Sequence, residues 1–256
     1  MSAIKKIVVP TDFSASADLA MEYVAELTKD YPDKEVTFIH VTDQVTAGLE
    51  ERLEGIKKEF KVLSEASCHA LYKIGDLTEE ILGFQREHGC DLILMGTEGR
   101  EGEEVLSRGA DMMLEADCPV MLIPASTSSK TVRNIALALD KEAIEDSASL
   151  EVLHGLAREK DAKIHVITID TEEKGEYKVL ETNENILDYY LETLDWKYIF
   201  PGSKDIEKGI NDYVEQNNID LLTILPRNHA RKNEPSKGKL TKVLSLHSKV
   251  PVLAID

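Results

Sequence analysis

Lys6-Ile-Val-Val-Pro-Thr-Asp12 and Asn134-Ile-Ala-Leu-Ala-Leu-Asp140 are one design written twice, about 130 residues apart. In each, a short apolar run ends in an aspartate and leads into a stretch with helical spacing. Further along, Cys90-Asp-Leu-Ile-Leu-Met-Gly96 and Cys118-Pro-Val-Met-Leu-Ile-Pro124 answer to Ile219-Asp-Leu-Leu-Thr-Ile-Leu225 and Val250-Pro-Val-Leu-Ala-Ile-Asp256. The offsets from Asp12 to Asp140, Asp91 to Asp220 and Pro119 to Pro251 all stay near 130, which is a domain length and not a solenoid period. The expectation is two fused domains, residues 1–126 and 134–256, joined by a Ser/Lys/Thr-rich linker at 127–133.

Within each copy, strand and helix signals alternate. In the first, apolar runs at Ile7–Pro10, Val36–Val41, Ala70–Ile74, Leu92–Met95 and Val120–Ile123 read as strands, with continuous apolar character where both sheet faces are covered. Ser14 stands where a helix cap belongs, residues 46–64 carry an amphipathic period, Asp76 with Glu79 resembles a capping arrangement, and a last helix is expected around 103–115. The second copy repeats the order, with strands at 134–139, 163–169, 196–200, 221–225 and 251–255 and Ser203 as the expected cap of the helix carrying Ile206, Ile210, Tyr213 and Val214. Such alternation predicts one doubly wound, five-stranded parallel sheet per copy, with right-handed crossovers.

Composition narrows the function classes. A formal net charge of −18 on 256 residues argues against a general binder of nucleic acid or anionic membrane. The three cysteines, Cys68, Cys90 and Cys118, are odd in number and lack the spacing of a disulfide framework, a zinc site or a redox motif. No apolar run approaches the roughly 20 residues that span a bilayer, and no leader precedes the first strand, so the expectation is a cytoplasmic protein. Neither His/Glu metal spacing, a GxSxG elbow nor a Walker A sequence occurs.

In sheets of this kind, ligands bind beyond the carboxyl ends of the strands where the strand order reverses. That rule gathers Asp12, Val41 and the loop Gly96-Thr-Glu-Gly99, with nine residues between Gly99 and Gly109. Glycines opening a helix let backbone N–H groups approach a phosphate. On Val9-Pro-Thr-Asp-Phe-Ser14, His40-Val41, Met95-Gly96-Thr-Glu-Gly99, Gly109 and Cys118-Pro-Val120, the chain resembles the universal stress protein family in its tandem form. The resemblance implies an adenine nucleotide alpha hydrolase-like fold, and an adenine nucleotide such as ATP as the ligand class. It assigns adenine and ribose to Pro10, Thr11, Asp12 and Val41, and phosphates to Gly96, Gly99, Gly109 and the position of Ala110. It also implies that the last strands of the two copies pair, making an intramolecular pseudo-dimer, with further homodimerisation left open.

The chain departs from the family pattern where phosphates bind. Ala110 follows Gly109 where a hydroxyl is expected, Met112 stands at the next hydroxyl position, and Asp111 lies between them. A hydrogen bond to a charged group contributes roughly 1.5–3 kcal/mol, so two lost donors weaken a triphosphate considerably. Glu98, Glu101, Glu103, Glu104, Asp111, Glu115 and Asp117 outnumber Arg100 and Arg108 around this loop and oppose an anion further.

The second copy lacks the glycine loop: Pro226 is read as replacing the first glycine and His229 the second, in a basic stretch running from Arg227 to Lys249. Arg227, His229 and Arg231 are candidates for binding an anion through side chains; a solvated loop, or one that docks on the acidic loop of another chain, are the alternatives.

Three further readings stay modest. Asp12 and Asp140 could serve simply as helix caps. His40 reads as a surface histidine without a partner, and Trp196 with Tyr189 and Tyr190 as core or interface residues. The favoured function is a non-catalytic binding or regulatory module, whose rivals are a nucleotide hydrolase or transferase acting through Asp12 and a ligand-free adaptor.

Overall fold

The computed structural model describes residues 4–98, 108–140, 143–144, 147–171, 181–226, 244 and 247–255. The chain divides into two compact units, Ile4–Thr131 and Val132–Asp256.

In the first unit, β1 (Lys6–Pro10), α1 (Ala15–Thr28), β2 (Glu35–Thr42), α2 (Leu49–Leu63), β3 (Ser67–Ile74), α3 (Leu77–His88), β4 (Leu92–Thr97), α4 (Arg108–Glu115) and β5 (Val120–Pro124) follow in order. Its strands pair in parallel in the order β3-β2-β1-β4-β5. The second unit contains β6 (Asn134–Ala138), α5 (Leu150–Lys160), β7 (Lys163–Ile167), α6 (Glu181–Leu191), β8 (Trp196–Ile199), α7 (Ile206–Gln216), β9 (Leu221–Ile224) and β10 (Val252–Ala254). Its order, β8-β7-β6-β9-β10, is the same topology, again parallel throughout. The tandem doubly wound sheets expected from the alternating pattern are therefore present.

Right-handed crossovers explain why both sheet faces are covered. The chain steps outward from β1 to β2 to β3, then returns and steps the other way through β4 and β5. Helices on the outward leg and helices on the return leg fall on opposite faces. The inner strands β1, β4 and β5 are accordingly buried on both sides: Val8, Val9, Leu92, Ile93, Leu94, Met121, Leu122 and Ile123 are inaccessible to solvent, whereas the edge strand β3 is largely exposed. That double burial is the physical reason for unbroken apolar runs in place of alternation.

The helix starts follow side-chain chemistry. Ser14 accepts the N–H of Ala17 at 3.3 Å and caps α1. Asp76 accepts from Thr78 and Glu79 at 2.8 and 3.1 Å and caps α3, which Gly89 closes at φ 60°. The cap of α7 differs from expectation. Asp205, not Ser203, accepts from Lys208 at 2.8 Å, while the Ser203 hydroxyl donates to the Asp205 carbonyl at 2.7 Å and so braces the cap. β3 begins at Ser67, earlier than its apolar residues suggest, because its register with β2 runs from Glu35↔Ser67 and the Ser67 N–H donates to Lys34 O. Tyr189 is 78% exposed and belongs to no core.

One carboxylate device recurs in both units. Asp91, entering β4, accepts the N–H groups of Lys5 and Lys6 on a single oxygen, each at 2.8 Å, while its own N–H donates to Lys6 O. Asp220, entering β9, does the same with Arg133 and Asn134 at 2.9 Å each, and its N–H donates to Asn134 O. The aspartate thus pins the start of the first strand of each unit to the start of the fourth.

The second unit also buries a histidine. His165 on β7 is 7% exposed, and its Nδ1 lies 2.9 Å from the Tyr213 hydroxyl of α7. Burial first, and Lys197 second, lower the His165 pKa, while burial raises that of Tyr213. Both shifts favour a neutral imidazole beside a neutral phenol, joined by this one hydrogen bond.

Two outcomes follow from these contacts. Asp91→Ala lowers the unfolding free energy by about 1–3 kcal/mol, measured by urea titration, because two N–H groups lose a charged acceptor. Because the folded state holds the His165 pKa below the unfolded value of about 6.5, the unfolded chain takes up the proton first. The histidine's contribution is complete above that pH and is lost as pH falls below it. The melting temperature of wild type therefore drops more between pH 7 and 5.5 than that of His165→Phe; equal drops would refute the assignment.

Candidate functional site

The strand order of the first unit reverses between β1 and β4, and the expected site residues on described chain gather at the carboxyl ends of these strands. Pro10 ends β1 and is buried. Thr11 follows, 7% exposed, with its N–H donating to Ile39 O of β2 at 2.9 Å. Asp12 is exposed, and one carboxylate oxygen accepts the N–H of Ser14 at 3.0 Å. Asp12 does not itself cap α1; it steadies Ser14, which does. Val41 is half-buried on β2, paired with Lys73 of β3.

Gly96, near the end of β4, has no room for a side chain. A Cβ there would lie 2.0 Å from the Ser16 carbonyl oxygen of α1. Gly109 is confined less severely, since its Cβ would meet side-chain ends, the Leu122 methyls at 2.9 and 3.0 Å and Thr97 Cγ2 at 3.3 Å. Gly96 is thus required by packing and lets α1 close on β4, while Gly109 eases the approach of α4 to β4 and β5. Ala110 and Met112 are wholly buried, so at the two positions where the resemblance expects hydroxyls the chain sends apolar side chains into its own core. Gly99, and in the second unit Arg227, His229 and Arg231, lie outside the described residues.

His40 is not a partnerless surface residue. Its Nδ1 lies 2.8 Å from the Thr11 carbonyl oxygen, and since a carbonyl only accepts, Nδ1 carries the proton. Its ring also meets Phe13 at 4.8 Å between centroids. Phe13 has φ 60°, a left-handed conformation that costs an ordinary L-residue roughly 1–2 kcal/mol. Its N–H donates to the Thr11 hydroxyl at 3.2 Å, and the Arg52 guanidinium of α2 lies 3.8 Å from its ring centroid. An exposed cation–π contact contributes about 0.5–1 kcal/mol, a ring–ring contact about 0.5–1.5 kcal/mol, and the His40 bond about 1 kcal/mol. No single contact clearly exceeds the backbone cost; together they do.

Sequence reasoning did not select Phe13 or Arg52 as site residues. Phe13 was legible as part of the motif, but its backbone conformation was not. Arg52 is one charge among many on an amphipathic helix, and nothing in its spacing distinguishes it.

The second unit shows how its counterpart site differs. Strand registers align Ile93 with Leu222, since both donate to the proline before the last strand, Pro119 and Pro251. The counterpart of Gly96 is therefore Leu225, and Pro226 answers to Thr97. This corrects by one position the reading that set Pro226 against the first glycine, and agrees with the pairing of Cys90–Gly96 with Ile219–Leu225 made on the apolar runs. Asp140 is exposed at the end of β6, near Tyr198, whose hydroxyl shares a 3.0 Å hydrogen bond with Thr168.

The thiols lie away from this chemistry. Burial pushes Cys68 and Cys90 up to about 11 and Cys118 up to about 12, which keeps all three protonated at neutral pH. Among the described residues, no group of three or more His, Cys, Asp or Glu side chains could hold a metal ion. Nor is any described helix long and apolar enough to cross a membrane.

A family model described as the universal stress protein family matches residues 3–124. A universal stress protein of Methanocaldococcus jannaschii is 32% identical over 139 residues, covering 46% of this chain and 81% of that protein. A second from the same archaeon is 25% identical over 158 residues, covering 48% of this chain and 97% of the relative. Among solved structures, a universal stress protein from Archaeoglobus fulgidus has a TM-score of 0.73 at 15% identity, covering 98% of this chain and 96% of that one. At that identity the likeness is one of fold.

The packing role of Gly96 is directly measurable. Gly96→Ala destabilises by about 1–3 kcal/mol or more, because backbone must move to admit one methyl group. Gly83→Ala, on α3 with nothing within 4 Å of the added carbon, is the control and stabilises by up to about 1 kcal/mol.

Proposed function

The chain belongs to the universal stress protein family, and we propose that it is a non-catalytic binding or regulatory member with a reduced adenine-nucleotide site in its first unit. The carrying observation is the contrast within one crevice. On the β1–β2 side, an exposed Asp12 sits on a braced turn after β1, and Val41 is half-buried on the neighbouring strand β2. On the β4–α4 side, Ala110 and Met112 are turned inward and offer no hydroxyl. Base and ribose contacts survive in this reading, and phosphate contacts are thinned. Pro10, Thr11, Asp12 and Val41 hold the nucleoside part, and the Gly96, Gly99 and Gly109 segments border the phosphates.

The sequence of the second unit has no equivalent glycine loop after β9. There the reading assigns anion binding to the side chains of Arg227, His229 and Arg231, in place of backbone N–H groups. Cytoplasmic location belongs to the same proposal, as does a chain that serves as its own dimer.

A second reading, weak hydrolysis or transfer of a nucleotide phosphate through Asp12, rests on that carboxylate being exposed at the switch point. It requires magnesium-dependent phosphate release that Asp12→Ala abolishes.

The test is calorimetric titration of the purified chain with ATP, AMP and adenosine, alongside mass spectrometry of small molecules released on denaturation. The expected result is weak binding, one site per chain, with ATP gaining little over adenosine because each missing charged hydrogen bond forgoes roughly 10- to 150-fold in affinity for the phosphates. Asp12→Ala abolishes it. Tight binding that depends on the triphosphate would overturn the reduced-site reading, and no binding of any of the three would overturn the site itself.

A further inference from the structure

We propose that Arg52 is a positioning residue for the first-unit site: its guanidinium, laid on Phe13, locks the turn that presents Asp12 to an adenine nucleoside or nucleotide. The proposal rests on the reading of that crevice as the ligand site and adds a residue from outside it.

The turn from Thr11 to Ser14 is held by two local bonds, one of which depends on Phe13 keeping its left-handed backbone. The Phe13 N–H reaches the Thr11 hydroxyl at 3.2 Å, and with Phe13 φ at 60° the following N–H, that of Ser14, reaches the Asp12 carboxylate at 3.0 Å. A return of Phe13 to ordinary negative φ swings the Ser14 N–H away and frees the Asp12 side chain to rotate. The ring is the handle that prevents this. His40 meets it at 4.8 Å while its Nδ1–H holds the Thr11 carbonyl at 2.8 Å, and Arg52 lies over it at 3.8 Å.

A second observation separates Arg52 from an ordinary surface charge. It sits in the first turn of α2, where Glu50 and Glu51 suit the positive end of the helix dipole and a cation does not. Its N–H donates to the carbonyl of Gly48, the left-handed cap at φ 82°. Helix electrostatics therefore do not explain an arginine here, whereas stacking on Phe13 does. The planar guanidinium is the relevant group, and lysine lacks it.

The test is a double-mutant cycle read in two ways. Arg52→Ala, Arg52→Lys, Phe13→Gly and Phe13→Gly/Arg52→Ala are titrated with adenosine, and amide hydrogen exchange is followed at Phe13 and Ser14. Glycine adopts positive φ without a ring to hold it. Arg52→Ala weakens adenosine binding by about fivefold, the size of one exposed cation–π contact. Arg52→Lys falls between the two. In the Phe13→Gly background the same Arg52→Ala change has no effect, because the coupling has been removed. Exchange at Ser14 rises in Arg52→Ala while exchange in β1 and β4, which reports global stability, stays as in wild type.

An equal loss of affinity in both backgrounds overturns the proposal, since Arg52 would then touch the ligand itself. Unchanged Ser14 exchange in Arg52→Ala overturns it as well. A wild-type chain that binds no adenosine overturns the site reading and the positioning role with it. The exchange data then still report separately whether Arg52 holds the turn.

Discussion

The first strand of each unit is flanked on both sides by parallel neighbours, and everything at the ligand end depends on how that strand is seated. A central strand covered on both faces has no water to satisfy its backbone, so its N–H and C=O groups must be met by the second and fourth strands. The lower end is fixed by Asp91 in one unit and Asp220 in the other, each gathering two N–H groups from the incoming chain. The upper end is fixed by Thr11 and Leu139, which donate to Ile39 and Ile167 of the neighbouring strand. With both ends held, the second residue after the strand, Asp12 or Asp140, falls at the switch point in either unit.

From that shared seat the two units diverge at the end of the fourth strand. In the first, a bare Cα at Gly96 lets the opening of α1 settle against the end of β4. In the second, Leu225 stands at the same register position. One topology thus carries a different residue at this point in each unit, and in the first it is a glycine that allows a close helix-to-strand approach. The braced turn beside it, with a phenylalanine held against its backbone preference, shows local strain offset by contacts from β2 and α2.

The fold was legible in the sequence because double burial leaves unbroken apolar runs, and because the aspartates and prolines recur at one offset. Caps were legible where the acceptor stands next to the helix, as with Ser14 and Asp76. Ser203 misled because two hydroxyl and carboxylate acceptors lie within three residues, and only geometry shows that Asp205 takes the helix N–H. The site was legible as a location and less so as a mechanism. Sequence named Asp12, Val41, Gly96 and Gly109, but the glycines looked like phosphate donors when their tightest constraint is packing. His40 looked solitary because its partner is a backbone carbonyl, which leaves no trace in composition. Arg52 was invisible because a stacking partner on another element has no fixed spacing.

The bare Cα at Gly96 also bears on what the first unit can become. With the Ser16 carbonyl oxygen 2.0 Å from where a Cβ would stand, any side chain at 96 has to push the opening of α1 aside. That opening follows directly on the Asp12 turn, so a change of residue on the fourth strand would be felt at the end of the first. The second unit already carries a side chain, half-buried Leu225, at the same register position.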